Sequence, residues 1–129
     1  MQIQSVPMFP LRAVLYPGGP LPLRIFEPRY IDMIGRCVKE QSPFGVVMLL
    51  EGADVDTKVH TQATGTLARI VDWDQGADGL LGITALGEDR FRLLRMEQQE
   101  DGLTVADIEV LPAEPETPGA TASGGTISV

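Results

Sequence analysis

At 129 residues the chain has the length of one domain, large enough to bury about two thirds of the surface its unfolded form exposes. Its formal net charge of −8 excludes most nucleic-acid binders and ligands of anionic membranes, because both kinds of affinity come from cationic contacts to phosphate. Hydrophobic residues make up 43% of the chain, yet no apolar run approaches the ~20 residues that span a bilayer and the N-terminus lacks a basic region followed by an apolar block, so a soluble, cytoplasmic protein is expected.

In chain order, the first unusual segment is residues 9–30, FPLRAVLYPGGPLPLRIFEPRY, with prolines at Pro10, Pro17, Pro20, Pro22 and Pro28. Proline fixes its own φ and removes a backbone donor, so each of these needs an edge, a turn or a helix start. Residues 6–9 are apolar but flanked by Pro7 and Pro10, which predicts an edge strand rather than a central one. Tyr16-Pro17-Gly18-Gly19-Pro20 is a turn, with proline pre-setting one position and glycine free to take positive φ. Leu21, Leu23 and Ile25 alternate with Pro22 and Arg24, the pattern of a strand with one apolar face. From Pro28 the period changes: Tyr30, Ile31, Met33, Ile34, Cys37 and Val38 recur at three and four residue steps, predicting a helix of about three turns that Gln41-Ser42-Pro43 ends. Pro28 sits where a helix tolerates it, and Glu27 lies where the helix dipole favours negative charge. The lone cysteine, Cys37, falls on the apolar stripe and has no second thiol to pair with, which disfavours the disulfide-stapled secreted class.

Residues 44–50 form a continuous apolar run bounded by Pro43 and Glu51-Gly52, as in a strand buried on both faces. Residues 66–73 alternate imperfectly and predict another strand, residues 74–79 (DQGADG) a loop, and residues 80–86 the returning hairpin partner. Gly82 and Gly87 mark a bulge or a close backbone approach. Residues 91–96 alternate again, and the turn signal Glu100-Asp101-Gly102 separates them from a strand carrying Leu103, Val105 and Ile108. The expected total is one helix with six or seven strands, a mainly β domain over residues 1–112. Residues 113–129 switch to Ala, Glu, Pro, Thr, Gly and Ser, a composition too polar to offset its ordering entropy, and read as a flexible tail or linker that a sheet edge or a neighbour would have to hold if it is ordered.

Five blocks in one order carry a family resemblance: MFPL at 8–11, YPGG at 16–19, PLRIFEPRY at 22–30, FGVV at 44–47 and GTLARI at 65–70. Over residues 6–111 the chain resembles the Lon N-terminal domain family. The resemblance implies a mainly β fold, a PUA-like pseudo-barrel of about six antiparallel strands with a helix after the EPRY motif. It also implies a stand-alone, non-catalytic module of protein quality control whose partners are unfolded or partner polypeptides, since in full-length Lon proteases this domain precedes the ATPase and the peptidase and engages substrate proteins. In that family a helical region commonly follows the β domain, and residues 113–129 do not resemble it.

The residues themselves offer little chemistry. A lone His60 and a lone Cys37 give no zinc spacing, and Asp54 and Asp56, or Asp72, Asp74 and Asp78, do not meet the calcium-loop pattern. There is no P-loop, and neither Gly18-Gly19 nor Gly124-Gly125 has the helix and lysine that would make one. Lys39 and Lys58 lie on a polar helix face and in a loop, without the apolar pocket that would make either a base. No catalytic residue, metal or cofactor is therefore expected, and the chain is read as a non-enzyme. Two other classes stay open: a PUA-like nucleic-acid binder using Arg90, Arg92 and Arg95, which otherwise serve as solvated or carboxylate-paired charges, and a hydrolase built on His60 or a perturbed carboxylate.

The residues Phe26, Glu27, Pro28, Arg29 and Tyr30 are read as architecture. Glu27 and Arg29 would tie backbone groups at the strand-to-helix junction, and Phe26 and Tyr30, four apart, would pack beneath the helix. The candidates for peptide binding are Tyr16 and Pro17 at the turn and Trp73 at a strand end, where Trp73 is either an exposed anchor or a half-buried cap on the barrel mouth. Unpaired strand edges near the prolines offer a second route, by backbone pairing with an extended peptide. The sequence is compatible with a homo-oligomer.

Overall fold

The structure, a computed structural model, describes residues 3–49, 61–76, 79–112 and 127–129. The readings made at Asp54, Asp56, Lys58, His60, Asp78 and residues 113–126 lie outside them. The elements are β1 (Ile3–Leu11), β2 (Pro20–Ile25), α1 (Pro28–Glu40), β3 (Phe44–Leu49), β4 (Thr61–Gln75), β5 (Leu81–Gln98), β6 (Thr104–Val110) and β7 (Ile127–Ser128). They form one sheet in the order β4-β3-β1-β6-β5-β2-β7, and a further β4–β5 pairing closes β4, β3, β1, β6 and β5 into a ring. Strand β2 is left outside the ring, against the first half of β5, with β7 on its far edge. The expected mainly β pseudo-barrel with one helix is what forms, although two of its pairings, β1–β3 and β2–β7, are parallel.

Alternation along the strands separates two cores. Val6, Met8, Val47, Leu67, Phe91, Ala106 and Ile108 form one cluster, contributed entirely by strands of the ring. A larger cluster lies on the opposite face of those strands, where Phe9, Leu11, Phe44, Val46 and Ala68 meet the buried face of α1 and of β2. Strands β1 and β3 therefore bury both faces, as the unbroken apolar run at 44–50 predicted for β3.

The expectation of an edge position for residues 6–9 is overturned: β1 lies between β3 and β6. The prolines fit because the two ladders overlap only at one residue. Pairing with β6 covers Ile3 to Met8 and pairing with β3 covers Met8 to Leu11, so Pro7 stands beside a gap in the β3 ladder and Pro10 beside a gap in the β6 ladder. Residues 80–86 and 91–96 are likewise one strand, β5, which runs through Gly87 without a break. Its first part is shared by β2 and β4, and its last part pairs with β6.

Glycines set how tightly the ring closes. A Cβ on Gly65 would overlap the Val46 carbonyl oxygen and lie 2.5 Å from Cζ of Phe91, and one on Gly45 would lie 2.8 Å from the Met8 sulfur. Both positions are occupied by the buried Phe91 ring, so the barrel interior admits that ring only because two wall positions carry no side chain. Gly65→Ala is expected to destabilise the domain by about 1–3 kcal/mol, the usual range for overpacking, since a backbone oxygen and not a flexible side chain must give way. Urea unfolding followed by circular dichroism measures it, and an unchanged midpoint would contradict this packing.

Candidate functional site

The EPRY corner ties three elements together. Glu27 occupies the N-cap position of α1 in an extended conformation but makes no side-chain cap to the helix. Its carboxylate instead accepts from Nε of Arg29 at 2.8 Å, and Arg29 Nη1 donates to the Gly102 carbonyl at 3.1 Å, in the turn between β5 and β6. The same guanidinium lies 4.9 Å from the centre of the Tyr30 ring, which stacks on Phe9 at 4.3 Å between centroids. Gly102 has φ of +86°, and its missing side chain leaves the space that Arg29 enters. Glu27, Arg29 and Tyr30 thus contact one another and the β5–β6 turn, and Pro28 opens the helix. Phe26 is the exception: it does not pack beneath the helix but is 55% exposed, because it lies one residue past buried Ile25 and alternation turns it to the other side of the strand.

Tyr16 and Pro17 sit in the turn before β2, and both are exposed. The turn is fastened to β5 by a reciprocal pair of backbone bonds, Gly18 N–H to the Gly87 carbonyl at 2.8 Å and Gly87 N–H to the Gly19 carbonyl at 2.9 Å. A Cβ at Gly87 would overlap the Tyr16 carbonyl, so Gly87 is a close backbone approach. The hydroxyl of buried Thr66 donates to the Leu15 carbonyl at 2.8 Å and holds the segment from the β4 side. Tyr16 does not meet Trp73. Gly87 pairs with Ala68, and Trp73 lies five residues further along β4, roughly 17 Å at the rise of an extended strand.

Trp73 is 56% exposed, whereas Phe9, Tyr30, Phe44 and Phe91 are all buried. It is opposite Ile83, which is in turn opposite Leu23, so its ring belongs to the core-facing side of the sheet but extends past the cover that α1 provides. A groove of about 290 Å³ results, lined by Ile31, Ile34, Gly35 and Val38 of α1 and by Trp73, Gln75 and Leu81. Trp73 also lines a second hollow of about 500 Å³ that continues past Val38 to Cys37, Gln41, Ile70 and Val71. Val71, two residues from Trp73, is itself 47% exposed. Burial pushes the Cys37 thiol up, with Glu40 adding and with Ser42 and Arg36 opposing, so at neutral pH it stays protonated and a poor nucleophile.

The helix side of this groove was not among the residues singled out by sequence reasoning. Its signal was Gly35, a poor helix former in the middle of a helix, where an added Cβ would meet nothing within 4 Å. Two of the three arginines considered as a basic strip are engaged with carboxylates, Arg92 with Glu109 and Arg95 with Glu97 at 3.8 Å, and Arg69, outside that strip, pairs with Glu88 at 3.0 Å. No helix among the described residues is long and apolar enough to cross a membrane.

Fold and surface together define a small β pseudo-barrel carrying one packed helix and an apolar groove beside it. More particularly, the chain belongs to the family of the ATP-dependent protease La (LON) substrate-binding domain, whose model matches residues 5–123. It is similar to the Lon N-terminal domain protein from Xanthomonas campestris, with a TM-score of 0.74 and 38% identity over 90% of this chain and 63% of that one. The N-terminal domain of Mycobacterium avium complex Lon protease shares the fold, with a TM-score of 0.66 at 17% identity, covering 89% of this chain and 59% of that one. Among sequences, it is 30% identical over 118 residues to the Lon protease of Anaeromyxobacter dehalogenans, covering 81% of this chain and 14% of that protein. It is 26% identical over 110 residues to protein cereblon of Xenopus tropicalis, covering 84% of this chain and 24% of that protein. The chain thus spans no more than about a quarter of the length of these two relatives. The family match is to a substrate-binding domain and not to a catalytic one.

The two aromatics that flank the EPRY motif are expected to differ sharply. Tyr30→Ala removes a buried ring stacked on Phe9 and should cost roughly 3–5 kcal/mol, while Phe26→Ala should stay within about 0.5 kcal/mol. Thermal unfolding of the two variants side by side checks the contrast, and equal losses would contradict the burial assigned to them.

Proposed function

We propose that this domain is a non-catalytic polypeptide-binding module serving cytoplasmic protein quality control, and that the groove between α1 and β4 receives an apolar side chain of an unfolded or extended segment. The observation that carries this reading is Trp73, a large aromatic left more than half exposed where it walls an apolar groove; Phe26, exposed to the same degree, does not line that groove. Such a ring is the usual anchor of a binding surface, and the polar residues around it would form the rim. The family's description as a substrate-binding domain of an ATP-dependent protease supports a polypeptide as the occupant. Nucleic acid is disfavoured by the net charge of −8 and by carboxylates engaging Arg69, Arg92 and Arg95. A single, buried cysteine suits a reducing compartment.

The test is titration of the isotope-labelled domain with a permanently unfolded protein, reduced and carboxymethylated lactalbumin, read by amide NMR. Trp73→Ala is expected to weaken binding by about thirtyfold, equivalent to roughly 2 kcal/mol for a hot-spot aromatic. Gly35→Leu is the more discriminating variant. It should stabilise α1 by about 0.5–1 kcal/mol while filling the groove, so binding falls as the melting temperature rises. Unchanged affinity in both variants would sink the groove as the site.

A further inference from the structure

The outer edge of β2 is built so that only one short stretch of it can accept another strand. Val129 N–H donates to the Arg24 carbonyl at 2.7 Å, and Phe26 N–H donates to the Val129 carbonyl at 2.7 Å. Arg24 and Phe26 therefore direct their backbone groups outward, and by alternation so do Pro20 and Pro22, while Leu21, Leu23 and Ile25 direct theirs toward β5. Proline has no amide donor, so the edge is blunted at residues 20 and 22 and fully competent only from Arg24 to Phe26. That stretch is where residues 127–129 lie, in parallel register with Leu23 opposite Ile127 and Arg24 opposite Ser128. Val129 is partly buried against the cluster beneath α1. The exposed ring of Phe26 stands at the same end of the edge.

We propose that this edge is a strand-addition site for an extended polypeptide segment bearing an aliphatic side chain at the position of Val129, and that residues 127–129 occupy it in cis as an internal competitor. The inference rests on the reading of this domain as a polypeptide-binding module, and it names a second mode of engagement in which backbone hydrogen bonds supply affinity and a single aliphatic pocket supplies selectivity. The occupant's chemistry is read from the segment already seated there. It is extended, it runs parallel to β2, and it gives and takes one backbone hydrogen bond through the same residue. The strand described at this edge is Ile127–Ser128, and a free segment would displace it by mass action.

The experiment uses the full chain and a synthetic peptide copying residues 124–129, titrated by amide NMR with Phe26 N–H reporting on the edge and the Trp73 indole N–H on the groove. In the unaltered chain the peptide competes with a tethered copy and should bind weakly. Val129→Pro removes the donor to Arg24 and should tighten peptide binding by about tenfold or more, because the tethered competitor acts at an effective concentration near the millimolar range. Val129→Asp, which removes the aliphatic contact instead of the donor, should release the edge as well. Tighter binding with saturable shifts at Phe26 supports the proposal. Shifts confined to Trp73, or unchanged affinity in both variants, overturn it. Carboxymethylated lactalbumin, titrated into the same samples, reports on the groove separately: shifts at the Trp73 indole without any at Phe26 leave the polypeptide-binding reading standing and remove only the edge. Silence at both reporters removes both.

Discussion

Strand β1 has to supply two cores at once, and the rest of the fold is arranged around that requirement. Met8 faces the interior of the ring while Phe9, the next residue, faces α1, and both are completely buried. A strand in this position needs neighbours on both sides, which β3 and β6 provide over staggered stretches, and the stagger is what lets a proline sit at each end of the shared residue. The barrel interior can then be small enough to fill with the single ring of Phe91, provided Gly45 and Gly65 line it. On the other face Phe9 stacks on Tyr30 and touches Phe44, so the helix is seated directly on β1.

The position of the helix is what leaves an apolar groove beside it. Arg29 joins its first turn to Glu27 and to the β5–β6 turn, which fixes the orientation of α1 over the sheet. Held there, α1 covers Ile83 and Leu81 but stops short of Trp73, and the uncovered strip becomes a groove with Gly35 on its helical side. In the proposed function the EPRY corner therefore acts through architecture. Its polar groups are engaged in holding the helix, and the groove is lined further along α1 by Ile31, Ile34, Gly35 and Val38.

The proposed groove and the proposed edge would hold a chain that has no fixed structure by different physical means. An apolar groove reads one side chain and tolerates many sequences, whereas a strand edge reads backbone and requires only an extended conformation. Both avoid dependence on a particular folded partner. The prolines of β2 have a second use in this light: they remove donors from an edge that would otherwise pair indiscriminately, and they confine pairing to a single register.

Much of this was legible in the residues. The turn at Tyr16 to Gly19, the helix starting at Pro28, the doubly buried strand after Pro43 and the close approach at Gly87 all follow from rules that act within a few residues: the fixed φ of proline, the freedom of glycine and the two hydrophobic periods. Glu27 and Pro28 were readable as a helix start for the same reason, and they occupy the N-cap and the first turn of α1. What the tertiary structure alone decided was which strands become neighbours. Pro7 and Pro10 predict an edge because local rules have no knowledge of two ladders that overlap by one residue. Phe26 and Tyr30 look equivalent at a spacing of four, although one precedes the helix and follows strand alternation while the other lies within it. Trp73 is exposed, and the β2 edge is occupied by residues about a hundred positions away in sequence, because long-range pairing and the seating of α1 determine what is covered. Periodicity fixes the face on which a side chain stands, but only the packed partners decide whether anything stands opposite it.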